Sequence, residues 1–171
     1  MIRVAIYVRV SGTKKKLDGE RRQDVNRQIE VIEKYLKRAG IKEWKVYCDD
    51  GKSAFTEDLN QRPAFKQLLN DCLRHYINEI YIEDITRFSR NLTIGIKWLK
   101  KLSDLNVNII SLKEGQLDYT SSKGWLQSNI FLLFAEWESR IRSEKVKSGM
   151  ERVKKESGKT FGRPKINRRD K

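Results

Sequence analysis

The chain has 171 residues, 38% of them hydrophobic and 35% charged, with a formal net charge of +14. That length suits one domain with its own core plus an appendage. A positive excess of this size favours a polyanionic partner, nucleic acid first, because lysines and arginines that neutralise phosphates release condensed counterions. The longest apolar run, IFLLFA at 130–135, falls well short of the ~18 residues of a membrane span, so no membrane partner is expected.

The first strand signal is VAIYVRV at 4–10, an apolar run that contains Arg9 and stops at Ser11-Gly12. An arginine there is costly unless an anion or carboxylate meets it, and a serine on a strand-to-loop turn is placed to expose its hydroxyl. GTKKKLDGERRQ (12–23) reads as a basic loop. Val25, Ile29, Ile32 and Leu36 then follow the helical period, with Gly40 placed to close the helix. WKVYCDD (44–50) is a second strand. Ala64, Phe65, Leu68, Leu69 and Cys72 form another helical face, with Pro63 in its first turn.

EIYIEDI (79–85) is the third strand and runs into EDITRFSRN (83–91). If a helix begins there, Arg87 and Arg90 share one of its faces. Leu92, Ile96, Leu99, Leu102 and Leu105 predict the next helix, and VNIISL (107–112) the fourth strand. Strands alternating with helices in this way predict a three-layer α/β domain, its central sheet mainly parallel and of about four or five strands. In such sheets ligands bind beyond the carboxyl ends of the strands. Ser11, Ser53 and the 84–90 segment all fall at those ends.

From Lys123 to about Glu156 there is no proline and turn signals are few, and Trp125, Ile130, Leu133, Trp137 and Ile141 recur along a long helix. At roughly 50 Å it outruns a small domain, and its apolar half needs a partner surface. Its second half, RIRSEKVKSGMERVKK (140–155), is strongly basic and suits DNA. The expected division is therefore 1–122 for the α/β domain, 123–156 for a helix that oligomerises and contacts DNA, and 157–171 for a basic tail. That tail has too little apolar content to fold by itself.

Cys48 and Cys72 have no CxxC spacing and lie in apolar-patterned segments. They read as reduced core residues of a cytoplasmic protein, nucleoid-associated when bound to DNA. The single histidine, His75, sits at a helix end and reads as a surface residue.

Three arginines near one hydroxyl suit phosphoryl transfer with Ser11 as nucleophile, since that chemistry is mostly positioning and charge stabilisation. Taken one at a time, each candidate has a plainer reading. Ser11 is a turn residue, Arg9 pairs with Asp49 or Glu83, and Arg87 and Arg90 are surface helix residues. The carboxylates Asp49, Asp50, Glu83 and Asp84 raise a metal-dependent nuclease as a rival, but arginines in the same crevice repel the cations a two-metal site needs. No metal and no cofactor are expected. A second rival is a DNA-binding or assembly protein without catalysis.

YVRVS (7–11), Gln28, DDGKSAF (49–55) followed by Arg62-Pro63, TRFSRN (86–91), FAEWESRIRSEK (134–145) and GRPK (162–165) occur in one order and spacing. In these the sequence resembles the catalytic domain of the serine recombinases, the resolvase/invertase family, over nearly its whole length. The resemblance implies attack of Ser11 on a DNA backbone phosphate, giving a 5′-phosphoserine link and a free 3′-hydroxyl without metal or ATP. Arg9, Arg87 and Arg90 would hold the scissile phosphate, with Gln28, Ser53 and Arg62 supporting the site. It also implies a homodimer that becomes a tetramer on two double-stranded DNA sites, with one pair of subunits rotating before religation. Arg142, Lys145, Lys147, Arg152, Arg163 and Lys165 are the expected DNA contacts, and Glu138, Glu144 and Lys145 fall at interface positions.

The family usually carries aspartate immediately before the first arginine of DR-x-x-R. Here Thr86 stands there, and Asp84 or the Thr86 hydroxyl is the candidate replacement. Ser139 likewise replaces an arginine common on the long helix. A GRPK stretch usually leads into a helix-turn-helix reader; with only INRRDK following, the expectation is weak, salt-sensitive and poorly specific DNA binding.

Overall fold

A computed structural model describes residues 3–10, 18–50 and 59–157. The elements run β1 (Val4–Val10), α1 (Asp18–Arg38), β2 (Lys45–Asp50), a 3-10 turn (Leu59–Gln61), α2 (Pro63–Leu73), β3 (Glu79–Ile82), α3 (Ile85–Phe88), α4 (Leu92–Asp104), β4 (Asn108–Ser111), β5 (Gly115–Gln116) and α5 (Ser122–Ser157). The sheet order is β2-β1-β3-β4-β5. The first four strands are parallel, and β5 is antiparallel to β4. β1 is buried along its whole length, as its apolar run, interrupted only by Arg9, requires of a strand covered on both faces. Ala5 and Tyr7 join Phe65 and Leu68 of α2 and Trp98 and Leu102 of α4 in the larger core; Val4, Ile6 and Val8 join Ile32 and Leu36 of α1 in the smaller one. The expected three-layer α/β fold is the observed one.

Three helices close with the same device. At the ends of α1, α2 and α4, Gly40 (φ 76°), His75 (φ 57°) and Asn106 (φ 56°) adopt the left-handed conformation. In each, that residue and the next donate back to the last turn: Gly40 to Lys37 and Ile41 to Leu36, His75 to Cys72 and Tyr76 to Asp71, Asn106 to Ser103 and Val107 to Leu102. The paired bonds satisfy carbonyls that the helix end leaves open.

Four details differ from the sequence expectation. Cys72 is buried, but Cys48 is exposed: β2 is the edge strand, and its Val46/Cys48 side is only partly covered, Val46 being 39% exposed. β3 stops at Ile82 because Asp84 turns the chain into α3 by accepting from the Thr86 amide. Arg87 and Arg90 do not share one helix face. Ser89 is extended after α3, and Asn91 caps α4 afresh through the Ile94 amide, so Arg87 lies in α3 and Arg90 in the turn beyond it. Finally, α1 starts at Asp18, so the second half of the expected 12–23 loop is helical.

Packing divides the chain into two units, 1–136 and 137–171. The beginning of α5 belongs to the first: Leu132 and Ala135 are buried in its core, with Leu132 fitted against Gly95 of α4. Ser121 caps α5 by accepting from the Gly124 amide, and the Asp118 carboxylate accepts from the Ser121 hydroxyl and the Thr120 amide. Trp125, Leu126, Ile130 and Leu133 remain exposed. In the second unit α5 continues to Ser157, with Trp137, Val146 and Met150 exposed.

Candidate active site

β1 and β2 end together, Val10 beside Asp50, while β3 stops short at the level of Tyr7; Arg9 lies one residue before the end of β1, aligned with Asp49 on β2. Its side chain is fully buried. The guanidinium donates from Nε to the Arg87 carbonyl at 3.1 Å and from Nη2 to the Thr86 carbonyl at 2.9 Å. Part of the answer to a cation in an apolar strand is therefore the backbone of α3, which fixes the guanidinium in plane. Burial, and after it the charge of Arg90, push the Arg9 pKa down to about 9, with Arg62 and Arg87 adding to the effect. An anion arriving here relieves that repulsion.

Beneath Arg9 lies a fully buried polar chain. Asp49 accepts from the Tyr7 hydroxyl at 2.9 Å and from the amides of Ala64 and Phe65 at 2.9 and 3.1 Å, and so holds the first turn of α2. Arg62 donates Nη2 to the Tyr7 oxygen at 2.9 Å and to the Phe88 carbonyl at 3.0 Å, and lies over the Phe65 ring at 4.1 Å. Burial holds the Tyr7 phenol protonated far above its ordinary range, with Asp49 adding to the effect and Arg62 opposing it. Tyr7 acts there as a structural donor. Arg62 Nη1 and Gln28 Oε1 are buried with no hydrogen-bond partner among the described residues.

The third wall is the 83–91 segment. Glu83 takes both terminal nitrogens of Arg27, at 2.6 and 3.0 Å, and Nη2 of Arg87 at 3.2 Å. Asp84 accepts from the Thr86 amide at 2.8 Å and from the Thr86 hydroxyl, and its Oδ2 lies 3.3 Å from Arg87 Nε. Two more carboxylates pin this segment from outside: Glu114 accepts from the Ile85 amide at 3.0 Å and Glu136 from the Leu92 amide at 2.6 Å. Asp49, Glu83 and Asp84 thus each face donors of the protein itself rather than one another.

The structure gathers Arg9, Arg62, Arg87, Arg90, Asp84 and Thr86 around the carboxyl ends of β1 and β3, and the charges of Arg62, Arg87 and Arg90 all act on Arg9. Gln28 is buried on α1, one residue beyond Arg27. Ser11, Ser53, Arg163 and Lys165 lie outside the described residues. Arg142, Lys145, Lys147 and Arg152 are on α5 in the second unit, apart from this cluster in the chain, and are exposed there. Sequence reasoning missed Tyr7 and Arg27. Tyr7 was findable, being two residues before Arg9 and so on the same face of β1; Arg27 carries no such signal.

Residues 4–159 match the family described as Resolvase, N terminal domain. The chain belongs to that family. It is 30% identical over 154 residues to a Bacillus subtilis (strain 168) protein named as a candidate DNA recombinase, covering 86% of this chain but 29% of that relative. To the transposon Tn2501 resolvase of Escherichia coli it is 27% identical, over 96% of this chain and 77% of the relative. Among solved structures it is similar to the N-terminal catalytic domain of TP901-1 integrase, with 27% identity, TM-score 0.58, and coverage of 81% of this chain and 98% of that one. A resolvase family site-specific recombinase from Streptococcus pneumoniae, 22% identical with TM-score 0.57 over 90% of this chain and 99% of that one, shares the fold.

Proposed function

We propose that the chain is the catalytic part of a site-specific DNA recombinase in which Ser11 attacks a backbone phosphate. The phosphate–serine bond forms at the 5′ end as the bond to the 3′ oxygen breaks, and that oxygen leaves as a hydroxyl. The bond energy stays in the 5′-phosphoserine link, so religation by the 3′-hydroxyl needs neither ATP nor a metal. The observation that carries this reading is Arg9: a buried guanidinium, one residue from the end of β1, fixed by the Thr86 and Arg87 carbonyls and facing the charges of Arg90, Arg62 and Arg87. Such a cluster is preorganised for the equatorial oxygens of a phosphoryl group. Arg62 Nη1 supports it as a buried donor with no partner among the described residues. Asp84 and the Thr86 hydroxyl that donates to it are the candidates for proton handling in this reading.

The partner is double-stranded DNA, held by phosphate contacts from Arg142, Lys145, Lys147 and Arg152, with Arg163 and Lys165 in the tail. The exposed Trp125, Leu126, Ile130 and Leu133 are the surface for a second copy, and two dimers form the tetramer that exchanges strands. In sedimentation, Leu133→Glu should leave the fold intact and abolish concentration-dependent association.

The test uses nicked suicide duplexes from a random-sequence library, with EDTA present. Protein covalently joined to a 5′ end, and lost in Ser11→Ala, supports the reading. Cleavage that needs a divalent metal and ignores Ser11 favours a nuclease. DNA bound but never cut favours a binding or assembly protein.

A further inference from the structure

Arg87 is crowded by negative charge. Glu83 Oε2 is 3.2 Å from its Nη2, and Asp84 Oδ2 is 3.3 Å from its Nε. A phosphate approaching Arg87 would meet two carboxylates for one guanidinium. The fourth charge comes from α1: Arg27 grips both oxygens of Glu83, at 2.6 and 3.0 Å, which makes the quartet neutral. This two-pronged geometry is the one in which guanidinium and carboxylate pair best.

We infer that Arg27 is a positioning residue for phosphate binding: it neutralises Glu83 and fixes the carboxylate that orients Arg87, leaving Arg87 able to receive a DNA phosphate. The inference rests on reading Arg87 as a phosphate ligand. Arg27 also ties α1, which buries Gln28 one residue later, to the segment that carries Arg87 and Arg90. Its side chain is 52% exposed, so the pair contributes little to folding stability. Its effect belongs to the charge and geometry of the site, where a lost counter-ion acts across a few ångströms.

The experiment is a double-mutant cycle in the Ser11→Ala background, so that cleavage plays no part and failure of the serine chemistry leaves the cycle readable. The probe is a fluorescein-labelled duplex titrated at low salt, and Arg87→Ala sets the scale. Arg27→Ala is expected to weaken binding about fivefold. Arg27→Lys should lose less, about twofold, because it keeps the charge but not the two-pronged grip. In a Glu83→Gln background there is no carboxylate to neutralise, and Arg27→Ala should then cost almost nothing. The same loss in both backgrounds would mean that Arg27 touches DNA by itself and would overturn the inference. So would no loss in the first background, or an Arg87→Ala variant that binds as well as its parent.

Discussion

Arg9 Nη2 donates to the carbonyl of Thr86 at 2.9 Å across 77 residues of chain. With the parallel bond from Nε to the Arg87 carbonyl at 3.1 Å, this fixes a buried cation to the backbone of the segment that supplies Arg87 and Arg90. Lysine carries its three donors on a single nitrogen, so it cannot reproduce the planar fork that holds both carbonyls from separate nitrogens and leaves another nitrogen for a phosphate. Arg9→Lys should lower the rate of covalent adduct formation by about 100-fold or more. Gel quantification of adduct over time checks this, with thermal unfolding to show that the variant still folds.

Gly95 and Leu132 decide how α4 meets the start of α5. A Cβ at position 95 would stand 2.5 Å from Leu132 Cδ2, and Leu132 is 1% exposed, with little room to retreat. Gly95→Ala should therefore destabilise by about 1–3 kcal/mol through overpacking, despite alanine's better helix propensity. Chemical denaturation reads this as a lower midpoint at unchanged slope.

His75 is an L-residue in a left-handed position at the end of α2. Glycine there keeps both back-donated bonds and removes the Cβ strain, so His75→Gly should stabilise by about 1 kcal/mol. A thermal midpoint that falls would contradict this account of the helix end.

Asp118 gives the pH prediction. The Ser121 hydroxyl first, then the Thr120 hydroxyl and amide, hold its carboxyl down at about 2, below an ordinary value of 3.8. A carboxyl depressed in the folded state stabilises above its unfolded value, and that contribution is lost as pH falls through the folded one. The stability difference between wild type and Asp118→Asn should be present at neutral pH, shrink below about pH 4 and be gone only below about pH 2. Denaturation curves across that range check it. A difference independent of pH would place the effect in the shape of the turn instead.

The strands and their parallel pairing were legible because β1, Arg9 apart, and β3 beyond Glu79 are buried runs of β-branched and other apolar residues, bounded by helices of ordinary period. β5 was not, being two residues long and held only by its pairing with β4. The break between α3 and α4 was written in Asp84 and Asn91, both cap residues, but the spacing of the two arginines suggested one continuous helix. Of the site, Arg9 announced itself as a charge inside an apolar strand. Arg27 did not, because a half-exposed arginine on a polar helix face looks like any other until the fold brings Glu83 to it. Cys48 misled because Val46 and Tyr47 precede it in a strand-like run, while its exposure depends on β2 being the sheet edge.

The central claim is that Ser11 forms the bond to DNA, and the most direct measurement is mass spectrometry of the tryptic peptide Val10–Lys14 after reaction with a nicked duplex in EDTA. The account predicts that peptide carrying a nucleotide 5′-phosphate on Ser11, with a free 3′-hydroxyl on the other DNA end. Cut DNA with an unmodified peptide and an unblocked 5′-phosphate would contradict it.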